Sequence, residues 1–496
     1  MNTVADVLTT SSMRMPESVA IISGELKLTH SQLLNKALVA GHALQKQGLR
    51  QGDRIMTCLQ NHHDAVLLYW ASQLYGFVIC PVNWRSTSAD IDYFLTDCDA
   101  HILFFDQSSA EAVSQSKEAQ QVISVEVYNS ESDTQWQEML ECTPGSPPSI
   151  TEDDLSVILY TSGTTGRPKG VLRTHRAERA ASIAHIAQNL LASGEIALGV
   201  MPLYHTMGVR ILVSTCLLSG TFLCQPKFAP EQTLRLIESH DVSSLYLVPT
   251  LYHDLIKTLT VHPADLSSVQ RIGFAGASMS DGLLRKVSKT FSNSKIVNHY
   301  GSSEIYTYTV DQDAARKPGS AGKQGLNSQM AIIPIGSGDV HRTLNRGSEG
   351  QIIARFNSEE SFSGYLHKPQ ANDAAIKDGW YLTGDVGYFD DEGDLFITGR
   401  VDDMIVTGGE NLMPVEVESV LSLYEGVAEA VVVGKPDERL GSKVVAFIVA
   451  DKAVGAEELN THCRNSGLPG FKCPRSYQFI ASIPKSPVGK ILRRAL

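Results

Sequence analysis

Tyr160-Thr-Ser-Gly-Thr-Thr-Gly-Arg-Pro-Lys-Gly170 follows the apolar run at 155–159, and its reading orders the rest of the chain. Its glycines at 163, 166 and 170 remove Cβ obstruction and let backbone N–H groups turn toward one point. The hydroxyls of Thr161, Ser162, Thr164 and Thr165, with the Lys169 ammonium, add further donors. That density of donors suits a polyphosphate. It is not a Walker A loop, because no G-x-x-x-x-G-K-[ST] frame fits. The plain alternative is a polar turn between a strand and a helix.

Outward from this loop, the first 300 residues alternate between strand-like and helix-like signals. Residues 30–47 place apolar side chains at Leu33, Leu34, Ala37, Leu38 and Leu44, with Gly48 to stop the helix and Thr29/Gln32 at capping-box spacing. Short β-branched or aromatic runs at 77–80, 101–105, 122–128, 244–248, 271–274 and 295–298 predict strands. Amphipathic stretches at 65–75, 231–239 and 281–289 separate them, which predicts layered α/β structure with largely parallel sheets. After about residue 320 the texture changes to strands at 330–335, 351–356 and 394–398 between Gly-rich turns. The expected architecture is α/β: a large N-terminal domain over 1–400, with a β-rich subdomain at about 320–400, and a small α+β domain over 401–496. Pro414 fits the first position of a helix at 414–423.

Composition excludes several functions. The chain has 496 residues and a formal net charge of −12, with no long Lys/Arg block, so a broad nucleic-acid face is not expected. No run approaches the ~20 apolar residues of a membrane span; the stretch at 196–218 is interrupted by His205 and Arg210. The opening Met-Asn-Thr-Val-Ala-Asp lacks a signal-peptide pattern, so a cytoplasmic protein is expected. The 8 cysteines form no C-x-x-C pair and read as buried apolar residues in a reducing compartment rather than as a zinc site.

Thr161–Gly170 resembles the signature loop of the AMP-forming adenylate-forming enzymes, which include acyl- and aryl-CoA synthetases, adenylation domains and luciferases. Further matching segments follow in that family's order and span essentially the whole chain. They are His299-Tyr-Gly-Ser-Ser-Glu304, Gly379-Trp-Tyr-Leu-Thr-Gly-Asp385, Gly399-Arg-Val-Asp-Asp-Met-Ile405, Gly408-Gly-Glu-Asn411 and Pro484-Lys-Ser-Pro-Val-Gly-Lys490. Met201-Pro-Leu-Tyr-His-Thr-Met-Gly208 is most similar to bacterial 4-chlorobenzoate-type aryl-CoA ligases.

The resemblance implies ATP, Mg2+ and coenzyme A as partners of a small carboxylic acid, in a monomer or homodimer. It implies that Glu304, with Thr165, holds magnesium, which takes few hard oxygen ligands from protein. Thr161, Ser162, Gly163, Thr164, Thr165, Gly166 and Lys169 would cradle phosphates, and Ser302 and Ser303 would lie beside them; the family usually has Thr where Ser303 stands. Tyr300, Gly301, Gly276 and Ala277 would take adenine. Asp385 would accept from both ribose hydroxyls, a bidentate task suited to a carboxylate, with Arg400 adding a contact. Lys490 would clamp the carboxylate and α-phosphate oxygens as a point charge. Asp402 would be a hinge for the small domain, and Gly408 and Gly409 would leave room for pantetheine. Lys443, Lys472 and Arg475 are candidates for CoA phosphates, although Leu440 stands where the chlorobenzoate ligases have a CoA-contacting tryptophan.

His205 would flank the carboxylate entry, with Thr206, Met207, Tyr246, Ala275, Tyr306 and Thr307 lining an acyl pocket. The expected activity is AMP-forming acid–CoA ligation of an aromatic or compact acid. Loading of a carrier protein, or a fatty or dicarboxylic acid substrate, stays open. Arg210 admits two readings: an internal salt bridge, or a partner for a second carboxylate or polar ring substituent of the substrate.

Overall fold

The computed structural model describes residues 2–128, 134–161, 167–485 and 491–496, without the side chains of Thr134 and Arg494. The segments 162–166 and 486–490 lie outside the described residues, and with them Ser162, Gly163, Thr164, Thr165, Gly166 and Lys490.

Two large sheets carry the first 324 residues. A six-stranded sheet runs, in spatial order, Ile123–Glu126, Ala100–Phe105, Arg54–Cys58, Val78–Pro81, Leu155–Thr161 and Lys169–Thr174. Its first five strands are parallel; only the last pair is antiparallel. The nine-stranded sheet centres on six parallel strands: Lys295–Tyr300, Arg271–Phe274, Ser244–Leu247, Ile196–Gly199, Thr221–Cys224 and Val19–Ser23. Parallel neighbours need helical crossovers that cover both faces, which is why these strands read as continuous apolar runs.

The helix His63–Tyr75 departs from its sequence reading. Every residue from Asp64 to Tyr75 is buried, so it is an interior helix packed on all sides rather than an amphipathic one. The helix His30–Lys46 carries the predicted capping box at Thr29 and Gln32. Among the elements that the sequence reading did not name is Trp380–Phe389, the central strand of a five-stranded antiparallel sheet that also contains Met330–Ile333, Gly350–Arg355 and Leu395–Arg400. Its Thr-Gly-Asp and Gly breaks hide the period-two alternation of a strand.

After Arg400 comes a 3-10 turn, Val401–Asp403, then a short hairpin of Ile405–Thr407 and Glu410–Leu412. The helices Pro414–Ser422 and Ala456–Asn465 pack with the three-stranded sheet Val427–Asp437, Gly441–Ala450 and Ser476–Phe479 in the C-terminal unit. Ile405, Leu412, Val417, Val432, Val444 and Leu459 share an apolar core of their own. Seven of the eight cysteines are buried and all are free thiols. No described helix is long and apolar enough to cross a membrane.

Candidate functional site

The donor-rich loop joins two antiparallel strands, with Thr161 paired opposite Lys169, so it is a hairpin connection rather than a strand-to-helix turn. Its flanks are held by the helix Ser88–Cys98, one turn apart. Tyr160 donates to Asp97 at 2.9 Å, and Tyr93 donates to the Pro168 carbonyl at 2.6 Å. Beyond the loop, the Lys169 ammonium sits 4.0 Å from the centre of the Tyr365 ring, a cation–π contact. The hydroxyl of that same tyrosine donates to Glu304 Oε1 at 2.8 Å. Tyr365 therefore sits between the lysine of the candidate phosphate loop and the candidate metal carboxylate.

Glu304 is buried in a tight turn after the strand Lys295–Tyr300. The turn requires glycine at 301, where a Cβ would lie 1.7 Å from the Tyr306 carbonyl oxygen. Ser302 Oγ accepts from the backbone N–H groups of Glu304 and Ile305, both at 3.2 Å, so its hydroxyl shapes the turn. The Phe362 N–H donates to the Glu304 carbonyl at 2.7 Å. Among the described residues no group of three or more metal-ligating side chains forms. That donor set fits magnesium: one carboxylate, with one oxygen already satisfied by Tyr365, leaves the remaining positions to water and substrate phosphates.

The candidate nucleoside end is built across two sheets. Asp385 and Arg400 face each other on neighbouring strands, with Nη1 2.9 Å from the carboxylate. Tyr300 donates to the other oxygen of Asp385 at 2.5 Å. Burial, and then the Asp385 charge, push the Tyr300 phenol well above its ordinary range, so it remains a donor. Ala277 is exposed beside Gly276, whose φ of +82° is a left-handed conformation. The backbone there passes close to Met207, whose Sδ lies 3.9 Å from where a Cβ on Gly276 would stand. The candidate nucleoside strip thus adjoins Met207, one of the acyl-pocket candidates.

His205 caps the helix Thr206–Leu217 with extended backbone. Gly208 is obligatory for this entry, since a Cβ would lie 2.2 Å from the Pro202 carbonyl oxygen. Burial pulls the His205 imidazole down to about 4, so it is neutral at physiological pH.

Behind it, Tyr306 Oη lies 2.8 Å from His185 Nδ1 and 3.1 Å from Tyr246 Oη. His299 packs on Tyr306 with ring centres 4.7 Å apart. Tyr246, Tyr306, His185 and His299 thus form an aromatic wall, while Met207 reaches the Gly276 turn that follows the buried Ala275, and Thr206 opens the helix before it. Thr307 is fully buried, and its hydroxyl accepts from Gln188 at 3.3 Å.

Arg210 has its partner inside the protein. It is fully buried and pairs with the Glu178 carboxylate, with the Glu178 carbonyl, and with Ser182 Oγ at 2.6 Å. Its role is the internal salt bridge, not a free cation for a substrate. In the C-terminal unit, Gly408 and Gly409 form the exposed tip of the hairpin, with φ of +61° and +86°. The Gly408 N–H donates to the Leu440 carbonyl at 2.9 Å, tying the tip to that neighbouring loop. Lys472 is paired with Glu416 at 2.5 Å, whereas Arg475 is exposed.

Sequence reasoning missed Tyr365, Arg173, Glu178 and His185. Tyr365 has no local motif. Arg173 and Glu178, like Arg210, are charges on otherwise apolar faces, which was the available signal.

The buried histidines set a pH dependence. Burial lowers His175 and His299 to about 4, and His185 well below its ordinary value. An unfolded chain binds these protons near pH 6.5 while the folded one does not, so stability is full above that pH and falls as pH drops toward 4. The melting temperature is expected to decline steadily from pH 7 to pH 5 on this account. A flat melting profile over that range would place these rings in contact with water.

The AMP-binding enzyme family model matches residues 8–366, and the model of its C-terminal domain matches residues 416–490. A 4-chlorobenzoate–CoA ligase of Arthrobacter sp. is 30% identical over 509 aligned positions, covering all of this chain and 95% of that protein. The crystal structure of ATP-bound MatB from Rhodopseudomonas palustris superposes with a TM-score of 0.90 at 26% identity, covering 100% of this chain and 99% of that one. An O-succinylbenzoate coenzyme A synthetase (MenE) from Bacillus subtilis, in complex with ATP and magnesium ion, gives 0.86 at 26% identity, over 99% and 98% of the two chains.

Proposed function

The chain belongs to the AMP-binding enzyme family, and from that premise we propose that it is an AMP-forming acid–CoA ligase acting on an aromatic or similarly compact carboxylic acid. The observation that carries the chemistry is the convergence of Lys169, Tyr365 and Glu304 at one end of the site with the Tyr300–Asp385–Arg400 group at the other. A nucleoside triphosphate laid between them meets a ribose acceptor and a phosphate-side cation with a carboxylate beside it.

In the first step the acid's carboxylate attacks the α-phosphorus and pyrophosphate leaves, giving acyl-AMP. In the second, the CoA thiolate attacks the acyl carbon and AMP leaves. Magnesium at Glu304 would supply neutralisation of phosphate charge. The protein's own contribution is positioning and charge compensation, with no covalent enzyme intermediate. Neutral His205 at the helix entry adds no charge beside the incoming carboxylate and is small enough to swing aside.

The hydrogen-bonded Tyr246–Tyr306–His185 wall supports a compact substrate, because its rings hold one another in place and would not yield readily to a long chain. A panel of benzoates, short dicarboxylates and fatty acids, assayed for AMP release with and without CoA, tests the reading. CoA-stimulated turnover of benzoates above C12–C16 acids is the expected result. Pyrophosphate exchange without CoA-stimulated AMP release would instead favour a carrier protein as acceptor, and a preference for long chains would show that the aromatic wall opens.

A further inference from the structure

Behind the aromatic wall lies a buried ionic knot that the two half-reactions do not use. Arg173, Glu178, Arg210 and Glu360 are all fully buried. Arg173 Nε and Arg210 Nη2 grip the two carboxylate oxygens of Glu178. Burial brings Arg173 down to about 10, against the opposing pull of Glu360 and Glu304, so it stays charged at neutral pH. Stability alone is a weak reason for such a cluster, since buried ion triads are often matched or bettered by apolar residues.

What distinguishes Arg173 is where its other donors go. It sits on Lys169–Thr174, the strand that leaves the phosphate loop. Its Nη1 donates to the Ser303 carbonyl at 2.8 Å and to the Glu360 carbonyl at 3.1 Å. The Ser303 carbonyl belongs to the peptide bond that leads into Glu304. On the far side, the Phe362 N–H and Tyr365 hydroxyl hold Glu304 itself. The backbone around this carboxylate is thus fixed from two directions, and Arg173 supplies one of them.

We propose that Arg173 is a positioning residue for Glu304: its guanidinium, oriented by Glu178 and Arg210, fixes the Ser303 carbonyl and so sets where Glu304 presents its carboxylate to the metal–ATP complex. The inference rests on the reading of Glu304 as the magnesium ligand. A guanidinium is required because its planar fork spans Glu178 and two carbonyls at once, which an ammonium cannot do.

The test is calorimetric binding of an unreactive ATP analogue to the full-length protein across a magnesium series, with a thermal melt on each variant. In Arg173→Lys, which keeps the charge, analogue affinity without magnesium should stay near wild type. The gain on adding magnesium should shrink on the order of tenfold, the usual effect of losing a residue that orients a metal ligand. Glu178→Gln, which keeps shape but loosens the grip on Arg173, should move the same way and serves if Arg173→Lys does not fold. Glu304→Gln should abolish the gain. If Glu304→Gln keeps the full magnesium gain, the metal reading fails. If it loses the gain while Arg173→Lys and Glu178→Gln retain it, the positioning role alone is overturned. Equal loss of magnesium-free and magnesium-dependent binding in both would reduce the knot to scaffold and overturn it too.

Discussion

Lys490→Ala is expected to slow acyl-adenylate formation on the order of 10²-fold or more, the scale of removing a preorganised charge from a transition state. Thioester formation from chemically made acyl-AMP should stay near the wild-type rate. The difference arises because a positive clamp between the attacking carboxylate and the α-phosphate is needed only while that bond forms. Lys490 lies outside the described residues, and its place in Pro484-Lys-Ser-Pro-Val-Gly-Lys490 carries the assignment. The same segment supplies its own control. Lys485 is already paired with Glu429 at 2.5 Å, and its backbone bridges Ile491. Lys485→Ala should therefore leave both half-reactions nearly intact. Single-turnover measurement of pyrophosphate release and of acyl-AMP thiolysis separates the two steps. Equal loss in both for Lys490→Ala would remove its assignment to the first.

The contrast between these two lysines shows what a sequence can and cannot disclose. Local rules sufficed where the determinants were local. The Thr29/Gln32 capping box starts its helix, Pro414 opens another, and the runs at 244–248 and 271–274 are buried parallel strands within a residue of their expected ends. Local rules failed where the environment was set from a distance. The helix His63–Tyr75 is enclosed on every side by the core, so its few polar residues, such as Asp64 and Gln73, point into protein rather than water. Gln73 bonds Ser156, 83 residues away. The site divides in the same way. Ser302 and Gly301 shape a turn that is legible in six residues of sequence. The Tyr365 hydroxyl on Glu304 and the Arg173 grip on Ser303 join positions 61 and 130 residues apart, and no spacing rule reaches that far. Arg210 shows the limit from the other side. Its oddity was plain in the sequence, but its partner Glu178 is known only once two helices pack.

Asp402→Pro should produce the opposite phenotype to Lys490→Ala: adenylation persists and thioester transfer fails. The geometry around the position explains why a swivel belongs there. Immediately before it, Arg400 is fastened to Asp385 in the five-stranded sheet at 2.9 Å. Immediately after it, Asp403 faces Arg493 at 3.5 Å, and Arg493 in turn pairs with Glu418 on the helix Pro414–Ser422. One anchor belongs to each side, so a rotation of the C-terminal unit would fall on the 3-10 turn at Val401–Asp403, where Asp402 is exposed. Met413, leading into that helix, rests on Gly399, where a Cβ would lie 2.9 Å from its Sδ. That contact would have to part for the C-terminal unit to turn. Proline accepts the φ near −65° of a 3-10 turn, so the present arrangement survives, but it forbids the backbone rotation that a second arrangement needs. The loss in CoA-dependent turnover should be on the order of 10²-fold, as for a step whose reacting atoms can no longer be brought together. Pyrophosphate release in the first turnover should stay within a few-fold of wild type. Asp402→Ala, which removes the carboxylate but keeps φ free, should retain most of both activities. If Asp402→Pro still forms acyl-CoA at a near-normal rate, the unit either does not rotate or turns about another bond.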